Sequence, residues 1–191
     1  MDFEGFAKIP RLSRDCIITE KIDGTNGQIY IYQLEDGRTI IQAGSRNRWV
    51  TPENDNHNFA KWVRDNGEQL IKELGVGRHY GEWWGRGINS RYKDAPKTFS
   101  LFNAGRWATE AAEGRLTVCK VVPILYTGPF STVFIEAIIE RLRESKSHVW
   151  PGAEAEGVVI YHTASATMFK KTLKGDESYK GKVGDVIESK V

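Results

Sequence analysis

A lysine stands directly before a tight polar turn in Glu20-Lys21-Ile22-Asp23-Gly24-Thr25-Asn26-Gly27. An amine attacks an electrophile only when deprotonated, a form favoured by neighbouring cations, desolvation or a metal. Lys21 is therefore a candidate nucleophile, although the same residues also describe a surface lysine before a turn. Ser45-Arg46-Asn47-Arg48 offers guanidinium groups that can bind phosphate with two parallel hydrogen bonds, with Arg46 favoured over Arg48. It can equally be an ordinary basic turn. Glu82 lies in Tyr80-Gly81-Glu82-Trp83-Trp84-Gly85 and Glu156 in Ala155-Glu156-Gly157. Lys170, Lys171 and Lys174 cluster near the end, and Phe102 closes the apolar run Phe99-Ser100-Leu101-Phe102 before Asn103.

These groups need a frame, and the pattern supplies mostly strands. Residues 16–20 read as a strand entering the turn at Asp23-Gly24, and 27–34 (GQIYIYQL) alternate as a second. Asp36-Gly37 marks a hairpin, with 38–43 returning. Residues 56–74 carry Phe59, Trp62, Val63, Leu70, Ile71 and Leu74 at helical spacing, with Gly75 as the stop and Gly67 arguing against one unbroken helix. Strands are expected over 79–84, 98–103, 116–121, 157–161 and 167–173. A second helix is expected over 131–144, capped by Ser131 or Thr132, with Val133, Phe134, Ala137, Ile138 and Leu142 as its apolar face. Alternation puts Phe102 with Ser100 on one face and Phe99 with Leu101 on the other. Hairpin-linked strands with two outer helices make an α+β fold with antiparallel sheets.

Composition narrows the class. The chain has 191 residues, 40% of them hydrophobic and 27% charged, which excludes disorder, collagen-like repeats and coiled coil. Only Cys16 and Cys119 are present, so there is no disulfide framework and no paired zinc motif. The four histidines show no ligand spacing. No signal peptide and no run of membrane-spanning length is seen, so a cytoplasmic protein with no membrane partner is expected. Net charge is +2, which by itself does not indicate nucleic acid. Between residues 78 and 107, however, Arg78, Arg86, Arg91, Lys93, Lys97 and Arg106 face only Glu82 and Asp94, a local +4 able to hold a strand.

Taken in order, the segments at Lys21, Arg46, Glu82, Phe102, Glu156 and Lys170 resemble the nucleotidyl-transfer motifs of polynucleotide ligases and capping enzymes. The Glu-Lys pair and the Thr-Asn ending of the first motif look most like ATP-dependent RNA ligases. The resemblance covers positions 20–174. It implies that Lys21 forms a covalent lysyl-AMP, with Arg46, Glu156 and Lys170 also in the catalytic set. It assigns nucleotide contacts to Glu20, Ile22, Asn26, Arg46, Glu82, Phe102, Glu156, Lys170, Thr172 and Lys174. Glu20 would read adenine through backbone or carboxylate, and Phe102 would stack on the base. Mg²⁺ or Mn²⁺ would sit at Glu156, with Glu82 reaching it through water. Two departures stand out: Asn103 replaces the usual Asp, and Thr172 replaces the second lysine of the last motif.

The resemblance implies a monomeric enzyme joining 5′-phosphate and 3′-hydroxyl RNA ends or nicks with ATP. A minimal DNA ligase, a capping guanylyltransferase and a non-catalytic nucleic-acid-binding module are the alternatives. With positions 20–174 taken by motifs, residues 1–191 read as one nucleotidyltransferase domain without an appended OB-fold. The run 180–191 reads as a solvated tail or last strand.

Overall fold

In the computed structural model, which describes residues 2–174, alternation builds the frame. Strand β1 (Asp15–Lys21) buries Cys16, Ile18 and Glu20 on one face, and β2 (Thr25–Gln33) buries Gly27, Ile29 and Ile31. The chain continues through β3 (Thr39–Gly44), β4 (Trp49–Val50), α1 (Phe59–Asp65), α2 (Gly67–Leu74), β5 (Gly77–Trp84) and β6 (Thr98–Leu101). It closes with α3 (Ala104–Ala112), β7 (Cys119–Val121), β8 (Ile124–Pro129), α4 (Thr132–Ser145), β9 (Gly157–His162) and β10 (Thr167–Thr172). These form a four-stranded sheet, β10-β9-β1-β8, and a six-stranded sheet, β4-β3-β2-β5-β6-β7. Every pair is antiparallel except β6–β7, which runs parallel because α3 carries the chain back between them.

Each sheet is covered on one face. Phe59, Ala60 and Val63 of α1 and Leu70 and Leu74 of α2 pack on Ile29, Ile31, Trp83, Phe99 and Leu101. Ile135, Ile139 and Leu142 of α4 pack on Cys16, Ile18, Val158 and Ile160. A third cluster joins Ile22, which follows β1, to Trp84, Tyr92, Ala95, Ala104 and Val122, tying one sheet to the other.

Four expectations are corrected. The helix over 56–74 is two helices: the backbone leaves helical geometry at Asn66, just before Gly67. It also starts later, at Phe59, because the Asp55 carboxylate accepts the amides of Ala60 and Lys61 at 2.8 and 3.0 Å. The strand over 98–103 stops at Leu101, since the Asn103 side chain accepts the Arg106 amide and caps the unforeseen α3. Asn and Asp cap helices equally well, so Asn103 has a local role without a charge. In α4 the buried stripe is Ile135, Ile139 and Leu142, whereas Val133 and Phe134 face solvent, a rotation of the expected face. Strand β8 was also unforeseen, because Pro123, Gly128 and Pro129 punctuate it like a loop. The run 180–191 lies outside the described residues.

Phe59 sits among Trp62, Trp83 and Phe99, with ring centroids 5.2–6.0 Å away. Phe59→Ala is expected to cost about 3–5 kcal/mol in urea unfolding, against about 1 kcal/mol or less for Phe134→Ala on the exposed side of α4.

Candidate functional site

The site begins with strand register. Lys21 lies opposite Gly157 of β9, and Gly157 lies opposite Thr172 of β10. Two residues along, Thr19, Val159 and Lys170 form a second row. Directly opposed residues share a face, so Lys21, Lys170 and Thr172 all look away from α4. Glu156 directly precedes β9, and this brings its Oε2 to 2.5 Å from Lys21 Nζ. Both side chains remain about one-fifth exposed.

The intervening row, Glu20-Val158-Lys171, faces α4 instead. Glu20 is buried there, accepting the Ser147 hydroxyl at 2.5 Å and the His148 amide at 2.8 Å. Burial pushes its carboxyl above the ordinary range, while those two donors pull it back. The carboxylate half of the Glu20 expectation therefore does not fit the geometry: the group is committed to the loop after α4, and only backbone is left to offer a base. Lys171 Nζ pairs with Glu136 of α4 at 2.6 Å. Lys174 Nζ is held by Glu154 at 2.9 Å, beyond the end of β10.

The second wall comes from the six-stranded sheet. Asn26 lies opposite Glu82, which lies opposite Ser100. Glu82 Oε1 accepts the Gly24 amide at 3.0 Å and Oε2 accepts Asn26 Nδ2 at 3.3 Å. The turn fits closely: a Cβ on Gly24 would fall 2.5 Å from the Trp83 carbonyl and 2.8 Å from Glu82 Cγ. Burial raises the Glu82 carboxyl to about 7. Lys21 and the Gly24 amide oppose that rise, and Glu156 and Asp23 reinforce it. Glu82, Glu156 and Lys21 thus form one electrostatic group.

Sequence reading missed the brace around this turn. Asn89 Nδ2 donates to Asp23 Oδ1 at 2.9 Å and to the Gly24 carbonyl at 3.1 Å. Arg91 Nε pairs with Asp23 Oδ2 at 3.0 Å, and its Nη1 donates to the Ala155 carbonyl at 3.3 Å. One arginine therefore ties the turn after Lys21 to the residue before Glu156. Arg91 was visible only as part of the local +4 stretch, and that stretch is dispersed. Arg106 lies over the Trp107 ring, Lys97 donates to the His57 carbonyl, and Arg78 lies over Tyr30.

The remaining residues separate. Ile22 is 3% exposed and packs in the cluster between the sheets, so its side chain is structural. Arg48 is occupied by the Asn54 carbonyl at 3.0 Å, whereas Arg46 is exposed at the tip of the same turn. Phe102 lies past the end of β6 and is 38% exposed, available for stacking, while Ser100 is buried and accepts Trp84 Nε1. The expected alternation holds for residues 99–101 and ends there.

A family model described as RNA ligase matches residues 14–180. The chain belongs to the RNA ligase family. No curated protein matches it. Among solved structures it is similar to a point mutant of the RNA ligase of Naegleria gruberi with ATP and Mn, at 18% identity and a TM-score of 0.61. That match covers 85% of this chain and 51% of the other. Another mutant of that ligase, with AMP and Mn, matches at 20% identity and a TM-score of 0.59, covering 84% and 50%. An archaeal ATP-dependent RNA ligase matches at 20% identity and a TM-score of 0.57, covering 89% and 48%. The chain thus spans about half the length of these ligases, and what they share with it is the fold. No helix among the described residues is long and apolar enough to cross a membrane.

No group of three or more His, Cys, Asp or Glu that could hold a metal occurs among the described residues. The carboxylates beside Lys21 fit a hard divalent cation that takes one or two protein ligands and completes its shell with phosphate oxygens and water. In this RNA ligase family member Glu82 also sets a pH dependence. Its native pKa of about 7 exceeds the ordinary 4.5, so the native state keeps a proton that the unfolded chain has lost. Its contribution to stability is therefore full below about 4.5 and falls as pH rises through about 7. Between pH 5 and pH 8, Glu82→Gln is expected to remove a loss on the order of 2 kcal/mol from the urea-unfolding profile.

Proposed function

We propose that the protein is an ATP-dependent RNA ligase acting through a covalent lysyl-AMP. The observation that carries this reading is the Lys21–Glu156 contact at 2.5 Å, with Lys170 and Thr172 on the same sheet face. Lys21 Nζ attacks the α-phosphorus of ATP. The N–P bond forms as the bond to the bridging oxygen breaks, and pyrophosphate leaves. Glu156 orients the amine and stands ready to accept the proton that it gives up. Lys170 and exposed Arg46 offset negative charge on the phosphates as the leaving group departs. Phe102 stacks on the base, and Asn26 and Glu82 position the ribose side. A divalent cation held by Glu156, and by Glu82 through water, would neutralise phosphate charge.

The AMP then passes to the oxygen of a 5′-phosphate end, freeing Lys21. A 3′-hydroxyl attacks that activated phosphate, forms the phosphodiester and expels AMP. Residues 20–174 supply the groups for the first step in one domain.

The test is incubation with α-labelled ATP and Mg²⁺ or Mn²⁺, followed by sealing of a panel of RNA, DNA and hybrid ends. Wild type is expected to take up covalently bound label that survives alkali and is released by acid, as a P–N bond to Lys21 requires, and to seal RNA 3′-termini. Lys21→Ala should take up none, and Glu156→Ala and Lys170→Ala should be slower by roughly 100-fold or more. Sealing of DNA but not RNA termini would reassign the substrate. Equal labelling of Lys21→Ala would end the proposal.

A further inference from the structure

The six-stranded sheet has a second face that no helix among the described residues covers. It is the face that carries Glu82 and Asn26, followed along the strands away from the turn. Gln28, Tyr30 and Tyr32 of β2 point there, opposite Tyr80 and Arg78 of β5 and Gly44, Gln42 and Ile40 of β3. Three of these residues, Tyr30, Tyr32 and Arg78, form an ordered stack with Trp49 of β4. Tyr30 and Tyr32 lie nearly parallel, with centroids 4.8 Å apart, and Tyr30 and Trp49 follow at 6.1 Å. The Arg78 guanidinium sits 3.9 Å from the Tyr30 centroid and 5.7 Å from that of Trp49.

The stack is built and open to solvent. Trp49 lies opposite Gly44, where a Cβ would come within 3.2 Å of the indole, so glycine leaves the ring its place over β3. Trp49 is 49% exposed and Tyr80 52%. Buried aromatics stabilise a core, but half-exposed rings beneath an arginine contribute little to folding. Flat faces beside a cation suit a partner that has both planar bases and phosphates. Tyr80 also leads to the site, because its carbonyl accepts the Phe102 amide at 2.9 Å. From Tyr30 to Asn26 is four residues of strand, roughly 13 Å.

We propose that this aromatic–arginine face binds single-stranded RNA and guides it along β2 and β5 toward the Lys21–Glu82 site. Bases stack on the half-exposed rings of Trp49 and Tyr80, and Arg78, held over Tyr30, meets the backbone. The proposal rests on the RNA-ligase reading, and charge complementarity and continuity with the site select RNA as the occupant.

The experiment measures binding of a fluorescein-labelled oligouridylate by anisotropy and self-labelling with α-labelled ATP, both on the full chain. Trp49→Ala and Tyr80→Ala remove half-exposed rings. Each is expected to weaken RNA binding roughly five- to hundredfold while labelling stays at the wild-type level. Trp49→Phe should keep most of the affinity, and 4-thiouridine crosslinks should map to peptides containing Tyr30, Trp49 or Tyr80. Wild-type affinity in both alanine variants, or crosslinks confined to other surfaces, would overturn the proposal. A protein that binds RNA through these residues but takes up no AMP would sink the ligation reading and leave this one standing.

Discussion

Everything at the site depends on the register of β9 between β1 and β10. Because successive side chains alternate faces, a slip of one residue would exchange the two sides of the sheet. In the observed register Lys21, Lys170 and Thr172 look outward, and Glu20 and Lys171 look toward α4. The Lys21–Glu156 contact follows from this, joining residues 135 positions apart in sequence. It needs no special loop, because Glu156 simply enters β9 beside the strand that ends in Lys21.

Two buried carboxylates on opposite sides of this arrangement have different uses. Glu20 is enclosed and satisfied by Ser147 and His148, an anchor between β1 and the segment after α4. Glu82 is satisfied by Gly24 and Asn26, yet its nearest charges are of both signs. Burial and the neighbouring acids hold it near 7, poised between charged and neutral forms. Similar burial therefore gives one carboxylate a structural part and the other a place in an electrostatic group with Lys21.

Much of the site was legible because its residues sit at strand ends beside glycines, where local pattern is strong. Lys21 before Asp23-Gly24, Glu82 after Gly81 and Glu156 before Gly157 all belong to that class. Arg91 and Asn89 were not legible as a brace. They lie in a loop without periodicity, and their partners are 64–68 residues away in the case of Arg91–Ala155, Arg91–Asp23 and Asn89–Asp23 or close to that span. Helix α3 was hidden because Asn103, its cap, follows directly on the apolar run that ends at Phe102 and reads as the end of that strand. The face of α4 was misjudged because exposed Val133 and Phe134 carry the same local signal as buried Ile135 and Ile139.

By itself the sequence determined the order of the motifs, the α+β class, the hairpin of β2 and β3 and the lysine at the end of β1. These are local properties, set by alternation, turn residues and spacing along a short stretch. Tertiary structure decided which carboxylate meets Lys21, which of the later lysines shares its face, and that Glu20 turns inward. It also decided that Tyr30, Tyr32, Trp49 and Arg78 meet as one surface. Those outcomes depend on the pairing of distant strands, and pairing is chosen by burying two apolar faces at once, a condition that no single segment can express.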